Sequence, residues 1–359
     1  MAYQNVGTLR FYVNVLEWLD SSGLLQGGLK SSNLHHLSPS VLKNWLSSDD
    51  QDPGWNDTIA VNVDSNIEAF FTEYSFAAFL GHNFNASNST IRFQDYTYGV
   101  GNYGNSFTGS EVVNKDFSKD GFSIISWDSG LIAGNSNAIS IRMDEINSTS
   151  NQTIDYTIPP TIGCAILGTY YDMPHSPDLK LTMTREMDGV KRIRTKGGAD
   201  LVDHKYTKPP MWGDAGAWEL YEGTPTNQEL SRSGRRVWDL SFSYLQGSDM
   251  FGVNEIVGYR HYSDTFWAPG GQHLAPDTTY EDGDLVSDLY FNYNLLDDDN
   301  FFSQVIHKTN GGQLPFIFQP DKNNNNPDGF AICKFDSGFK FEQVANGVYN
   351  VKLKIREVW

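Results

Sequence analysis

An all-β fold with one short helix is what this sequence predicts, on three observations. Aromatic residues make up 14% of the 359 positions and glycine contributes 33, while only 19% are charged. With many Asn and Ser, that balance favours short strands joined by turns over helical bundles. The closing stretch alternates with period two: Tyr349, Val351, Leu353 and Ile355 on one face, Asn350, Lys352, Lys354 and Arg356 on the other. No pattern recurs with a period of roughly 20 to 50 residues, which sets solenoids and propellers aside.

Residues 8–19 open with Leu9, Phe11, Val13 and Val15 in strand-like alternation, interrupted by Ser21-Ser22-Gly23 and Gly27-Gly28. No partner lies nearby, so this strand is expected to pair with a distant element in the C-terminal part of the chain. His35-His36-Leu37 leads into a helical turn expected around residues 40–46, and Ile59, Val61 and Val63 mark a short strand. Residues 77–84 read as an apolar strand running into a Gly81-His82-Asn83 turn. Residues 89–94 return with alternating polar side chains, making a buried hairpin or a crossover. Further strands are expected at residues 122–127, 138–143 and in the apolar run 161–168.

Leu179, Leu181 and Met183 alternate next, Asp188-Gly189 signals a hairpin turn, and Val190, Arg192 and Arg194 return. Gly197-Gly198, Pro209-Pro210, Trp212 and Trp218 suggest an irregular connection that fits a docking loop or a packed loop equally. Trp238, Leu240, Phe242 and Tyr244 present a core face. Residues 258–276 exceed the usual connection length and are rich in Tyr, His, Trp, Pro and Gly, the mark of a functional insertion. Behind Asp297-Asp298-Asp299, which offer N-cap carboxylates, Phe301, Phe302, Val305 and Ile306 give residues 300–308 one apolar helical face. Gly311 and Gly312 stop that helix. Leu314, Phe316 and Phe318 then alternate as a half-buried strand, which Pro320 ends. Strands at residues 331–335 and 339–344 precede the final one, whose alternation fails at Glu357-Val358 and implies a bend there.

Two resemblances follow from these residues. A helix, then Gly311-Gly312-Gln313-Leu314-Pro315-Phe316-Ile317-Phe318-Gln319-Pro320-Asp321, an Asn-rich loop and the closing strand resemble minor tail proteins of tailed bacteriophages. The likeness is greatest to the distal-tail or baseplate-ring class and, with residues 235–245, covers about residues 229–359. Residues 35–175 resemble the discoidin-like (galactose-binding-like) jelly roll. There a turn such as Leu80-Gly81-His82-Asn83 follows a central strand, and a strand such as Ile162-Gly163 to Leu167-Gly168 closes the domain. Together they imply a discontinuous tail-ring-like β module, 1–34 and 176–359, carrying an inserted jelly-roll β-sandwich over 35–175. The implied function is a non-enzymatic structural virion protein: a tail-tip or baseplate-ring component that self-assembles and links the tail tube to host-recognition parts. Its implied partners are copies of itself in a ring and other tail proteins, and its implied place is the virion tail, after synthesis in the host cytoplasm. Two alternatives stay open, a receptor- or carbohydrate-binding tail protein that uses the jelly roll on a host-surface glycan, and a head or collar decoration protein. The jelly roll hosts many functions and does not by itself grant sugar binding.

Composition narrows the chemistry. A formal net charge of −18 argues against a nucleic-acid partner, because phosphate binding needs concentrated Lys and Arg. Lys191, Arg192, Arg194 and Lys196 form the one basic cluster, read as a solvated strand face. No apolar run approaches the roughly 18 residues of a membrane span, and no signal peptide opens the chain, so a soluble, membrane-free protein is expected. Cys164 and Cys333 each sit within an apolar strand pattern and are expected as buried free thiols. Sequons at Asn56, Asn85, Asn88, Asn147 and Asn151 are as many as chance gives in so Asn- and Ser-rich a chain.

No nucleophile elbow, phosphate loop, His-Glu-x-x-His or Cys-x-x-Cys occurs, so no catalytic residue, metal or cofactor is expected. His35-His36 would splay apart on a strand, a poor metal pair, and His82 is expected to bond local backbone. Candidate carbohydrate-binding residues are Trp127, Asp128, Trp55 and Asn56, with Tyr96, Tyr98 and Tyr103 nearby, since sugar sites pair an apolar ring with oriented polar groups. The simpler reading, which we favour, has Trp127 ending a core strand and the tyrosines packing under loops. Candidate assembly loops carry Trp212, Tyr259, His261, Tyr262, Phe266 and Trp267. A ring needs a heterologous interface that closes, and such loops and exposed strand edges can supply one.

Overall fold

The computed structural model of the chain describes residues 7–26, 33–37, 43–44, 58–63, 74–96, 111–116, 120–127, 138–145, 158–187, 191–203, 234–250, 299–326, 329–336, 338–345 and 347–358. The first half holds β1 (Arg10–Asn14), α1 (Val15–Ser21), β2 (Leu25–Gln26), β3 (Lys43–Asn44), β4 (Thr58–Val63), β5 (Ser75–His82), β6 (Ser89–Tyr96), β7 (Glu111–Asp116), β8 (Gly121–Trp127), β9 (Ala138–Glu145), β10 (Thr161–Ile162) and β11 (Cys164–Asp172). The second holds β12 (Thr182–Glu186), β13 (Lys191–Arg194), β14 (Asp200–Asp203), β15 (Arg235–Gln246), α2 (Gly247–Met250), β16 (Phe316–Gln319), β17 (Ala331–Phe335), β18 (Lys340–Ala345) and β19 (Val348–Glu357). The fold is all-β, as composition and alternation predict. Among the described residues no helix is long and apolar enough to cross a membrane.

A ten-stranded sheet runs β12-β15-β19-β17-β16-β1-β11-β5-β8, with β18 beside β17 on the same edge of β19. A five-stranded sheet, β2-β4-β9-β6-β7, and two ribbons, β3-β10 and β13-β14, complete the topology. Lys43–Asn44 is thus a strand where a helical turn is expected from sequence.

β1 lies at the middle of the large sheet. One edge pairs with β16, Phe11 opposite Phe318, which is the distant C-terminal partner expected for it. The other pairs with β11, Phe11 opposite Tyr171 and Asn14 opposite Gly168. The sheet therefore continues unbroken from the strands of residues 35–175 into the C-terminal strands, with β1 as the seam.

β1 stops at Asn14 because the next residues are capped as a helix. The Asn14 side-chain oxygen accepts the Glu17 N–H at 3.4 Å, and its Nδ2 donates back to the Glu17 carboxylate at 3.1 Å, a reciprocal capping arrangement. Val15, which fits the strand alternation, begins α1 instead, and Val15, Leu16, Trp18 and Leu19 are its buried face.

The sheet is buried on both sides here. Ala77, Phe79, Ala165 and Leu167 face Ile91 of β6, Ile141 of β9 and Leu16 and Leu19 of α1. Farther along that same face, Phe11, Phe316, Phe318, Trp238, Leu353 and Ile355 pack under Phe301, Val305 and Ile306. The opposite face carries Tyr12, Phe76, Ala78, Leu80, Ile166, Ile317 and Ile332. Phe11 is the hub: its ring centroid lies 5.4 to 6.0 Å from those of Phe301, Phe316, Phe318 and Phe335. Burying each such ring stabilises the fold by about 2–3 kcal/mol. β16 is buried at every position, not half-buried, because β1 and β17 flank it. Cys164 and Cys333 are free thiols on opposite faces, buried as the apolar pattern predicts.

Four further expectations need correction. Gly81 has φ +67° and marks a bulge within β5, so His82 stays in the strand, and the chain crosses through residues 83–88 to β6 in the other sheet. β12 pairs with β15 and not with β13; β13 turns back on β14 through Gly197-Gly198, where Thr195 and Ala199 close the turn. Tyr244 leaves the core face: a bulge between Phe242 and Leu245 gives it φ +64° and 79% exposure, and Leu245 takes the inward place. The final strand does not bend at Glu357. That residue holds an inward position, 2% exposed, because Arg236 on β15 meets it with side-chain bonds of 3.1 and 3.2 Å. Such a buried pair loses far more when one partner is removed than when both become apolar.

The C-terminal helix is a π turn over Phe302–Ile306 followed by a 3-10 turn over His307–Thr309. Its cap is Asn300, whose side-chain oxygen accepts the Ser303 N–H at 2.9 Å, and not the neighbouring exposed Asp299. Asn310, Gly311 and Gly312 stop it with φ values of +50°, +69° and +85°.

Gly168 is the tightest point of the seam: a Cβ there would come within 1.8 Å of the Val13 carbonyl oxygen. Gly168→Ala is expected to lower the unfolding free energy in urea titrations by about 3 kcal/mol. Gly197→Ala, where a Cβ meets nothing within 4 Å, should shift it by less than about 0.5 kcal/mol. Equal effects would mean that the close approach is absent.

Candidate functional site

The end of the large sheet offers a surface. β12 pairs with β15 on one side, Met183 directly opposite Trp238. Trp238 belongs to the core at 6% exposure, yet Met183 is 48% exposed, and Leu179 and Leu181 share its parity along the chain. Met183 thus carries the apolar face onto the edge strand, and Leu179 and Leu181 stand exposed in the segment that precedes it. Among the described residues no strand pairs the outer edge of β12. The β13-β14 ribbon sets Ile193 opposite Leu201, both exposed. Two of its four basic residues face acids in register, Lys191 opposite Asp203 and Arg194 opposite Asp200, which offsets half of the cluster's charge. An open edge with apolar side chains is a template for another chain.

A cleft of about 350 Å³ opens on the seam, lined by Tyr74, Tyr170, Tyr171, Asp172, Asp249 and Asp299. Arg10 places its guanidinium 4.1 Å from the Tyr170 ring centre and binds Asp172 through two hydrogen bonds, 2.6 and 2.9 Å. Lys322 adds a third at 3.0 Å. Partial burial pushes the Asp172 carboxyl up, but the hydrogen bonds and charges of Arg10 and Lys322 outweigh it and hold its pKa below the ordinary value. Asp172 is therefore an anion committed to its partners. Tyr171 donates to the Asp249 carbonyl oxygen at 2.9 Å. Burial, helped by nearby Asp299, Asp249 and Asp172, holds its hydroxyl well above the ordinary pKa, so it stays protonated. Aromatic rings beside fixed carboxylates suit a polyhydroxyl or cationic ligand. Residues 251–298, between the two ends that line this cleft, lie outside the described residues, and with them Tyr259, His261, Tyr262, Phe266 and Trp267; Trp212 does too.

His82 is a structural histidine. Its Nδ1 accepts the Phe84 N–H at 3.3 Å, its Nε2 lies 2.9 Å from Ser123 Oγ, and its ring stacks on Phe84 with centroids 4.3 Å apart. Burial lowers its pKa to about 3, so the ring is neutral. Asn83 fixes the crossover by accepting the Thr161 N–H at 2.7 Å and donating to the Pro159 carbonyl at 3.0 Å.

Of the candidate sugar residues, Trp127 ends β8 opposite Ser75 and packs against the core; Asp128, Trp55, Asn56, Tyr98 and Tyr103 lie outside the described residues. Gly311, Gly312, Phe316 and Phe318 serve the helix stop and β16, and Pro315 and Pro320 bracket that strand.

His35-His36 departs from expectation. The pair sits in a turn over residues 33–37, not a strand, so the rings do not splay. Their centroids are 4.2 Å apart, and both face α1. His35 Nε2 lies 3.1 Å from Asp20 Oδ2, and His36 presents Nδ1 to Glu17 at 3.5 Å and Nε2 to Asp20 at 3.9 Å.

Comparison with known proteins finds no family model and no curated protein that matches this chain.

The neutral His82 makes stability depend on pH. Its folded pKa lies below the unfolded value, so the unfolded chain takes the proton first and stability falls as pH drops from about 6.5 towards 3. This residue should contribute a slope of at most about 1.4 kcal/mol per pH unit in that window. Chemical denaturation across the window should show that part of the slope gone in His82→Gln; an unchanged slope would contradict a buried neutral ring.

Proposed function

We propose that this chain is a non-enzymatic structural virion protein, a tail-tip or baseplate-ring component of a tailed phage that self-assembles around the tail axis. One observation carries the self-assembly: Met183 stands exposed on β12, opposite the core residue Trp238, on a strand whose outer edge pairs with no other strand among the described residues, and the β13-β14 ribbon exposes Ile193 and Leu201 as well. The resemblance of residues 229–359 to distal-tail proteins supports the tail assignment, and the heterologous contact that an edge strand makes with a different surface can close a ring. Two charged substitutions at exposed positions, Met183→Lys with Ile193→Lys, should leave the thermal transition within a few degrees of wild type. Sedimentation velocity is expected to show the wild-type chain forming oligomers at rising concentration and the double variant remaining a monomer. Microscopy and mass spectrometry of intact particles test the location, and absence of the chain from purified virions would overturn the assignment.

The tyrosine-lined cleft favours a second reading, recognition of a host-surface glycan. On this reading the full chain binds members of a glycan array, and Tyr74→Ala, at the exposed rim, lowers that binding at least tenfold. An array with no saturable binder would remove it.

A further inference from the structure

We infer that Asp20, His35 and His36 form a binding site for a divalent first-row transition metal, zinc above all, with Glu17 orienting one of the ligands. One ligand atom from each of the three residues lies within 4.8 Å of the others. Asp20 Oδ2 is 3.1 Å from His35 Nε2 and 3.9 Å from His36 Nε2. Zinc bonds of about 2.0–2.1 Å in a tetrahedron put ligands about 3.3 Å apart, so the cluster closes on an ion when the His36 ring moves inward, by about half an ångström towards Asp20 and by up to about 1.5 Å towards His35.

The arrangement is held from several directions. Glu17 and Asp20 are three residues apart on α1 and so share one side of the helix. The turn that brings the histidines over them is pinned by its own backbone. The Leu34 carbonyl accepts the Ala165 N–H at 2.9 Å, and the His35 carbonyl accepts Asn14 Nδ2 at 2.7 Å. The same Asn14 Nδ2 donates to Glu17 Oε2 at 3.1 Å, and the other Glu17 oxygen faces His36 Nδ1. With Nδ1 turned to Glu17, His36 directs Nε2 at the ion. A carboxylate behind a histidine ligand is the usual outer support of a metal site.

The donor set selects the ion. Two imidazoles and a carboxylate suit zinc, cobalt and nickel, while magnesium and calcium prefer all-oxygen shells. Two carboxylates offset the charge of a dication. His35 is fully buried and the His36 side chain is 43% exposed, so an ion enters from the His36 side and keeps a water as fourth ligand. Once bound, it fastens residues 33–37 to α1, beside the point where β1 meets Gly168. This site is independent of the assembly surface.

The test is isothermal titration of the chelator-treated full chain with zinc chloride, with magnesium chloride as control. Saturable binding of one zinc per chain is expected, and no magnesium binding. His36→Asn and Asp20→Asn should each weaken zinc at least a hundredfold, and Glu17→Gln about tenfold. Cobalt(II) reads the geometry separately: the wild-type chain should show the intense visible absorption of a four-coordinate ion, and His36→Asn should lose it. His36 is partly exposed, and its variant is checked for an unchanged metal-free melting transition. No saturable zinc binding overturns the inference. Binding equally tight in His36→Asn and Asp20→Asn also overturns it, because the ion then sits on other histidines.

Discussion

The structure depends on one strand having partners on both edges. β1 is short, yet it joins β11, with β5 and β8 beyond, to β16, with β17, β19 and β15 beyond. A strand in that position cannot show one polar face, and Arg10–Asn14 does not: every residue after Arg10 is buried. Arg10 itself bridges β1, β11 and the loop after β16 through Asp172, which Lys322 also holds. The aromatic cluster around Phe11 and the ion pair between β15 and the end of β19 then fasten what that seam positions.

The candidate sites also arise from this geometry. The tyrosine cleft opens where β11 leaves the seam, and the histidine cluster sits where β1 turns into α1. The apolar edge lies at the sheet's far end, where among the described residues no strand follows β12. An assembly part and a sugar-reading surface are compatible on one chain, since the edge strand and the cleft use different residues.

Much of the fold was legible in the sequence, and particular residues show why the rest was not. The final strand and β17 were readable because alternation reports a sheet with a covered face. Val15 satisfies both the strand period and the helix period, so only the Asn14-x-x-Glu17 spacing marks α1. Glu357 breaks the apolar pattern without breaking the strand, because its partner Arg236 is remote in sequence. Tyr244 fits a core pattern that a bulge shifts by one place. The cleft could not be read at all: Tyr74, Tyr170, Asp249 and Asp299 are scattered along the chain, and only pairing brings them together. Leu179, Leu181 and Met183 alternate in the sequence, yet only Met183 lies in β12, and its exposure depends on where that strand falls in the sheet.

The seam also bears on how the molecule is made. Tyr12, whose hydroxyl meets the Gln319 side chain at 3.0 Å, is separated from it by 307 positions. β1 thus waits, one edge open, until β16 is synthesised. β5, β8 and β11 can pair earlier and shelter its other edge. Contacts between such distant positions form slowly, and a nascent chain that stalls before residue 316 exposes an aromatic strand to other chains. Truncation before β16 therefore harms β1 as much as the strands it removes.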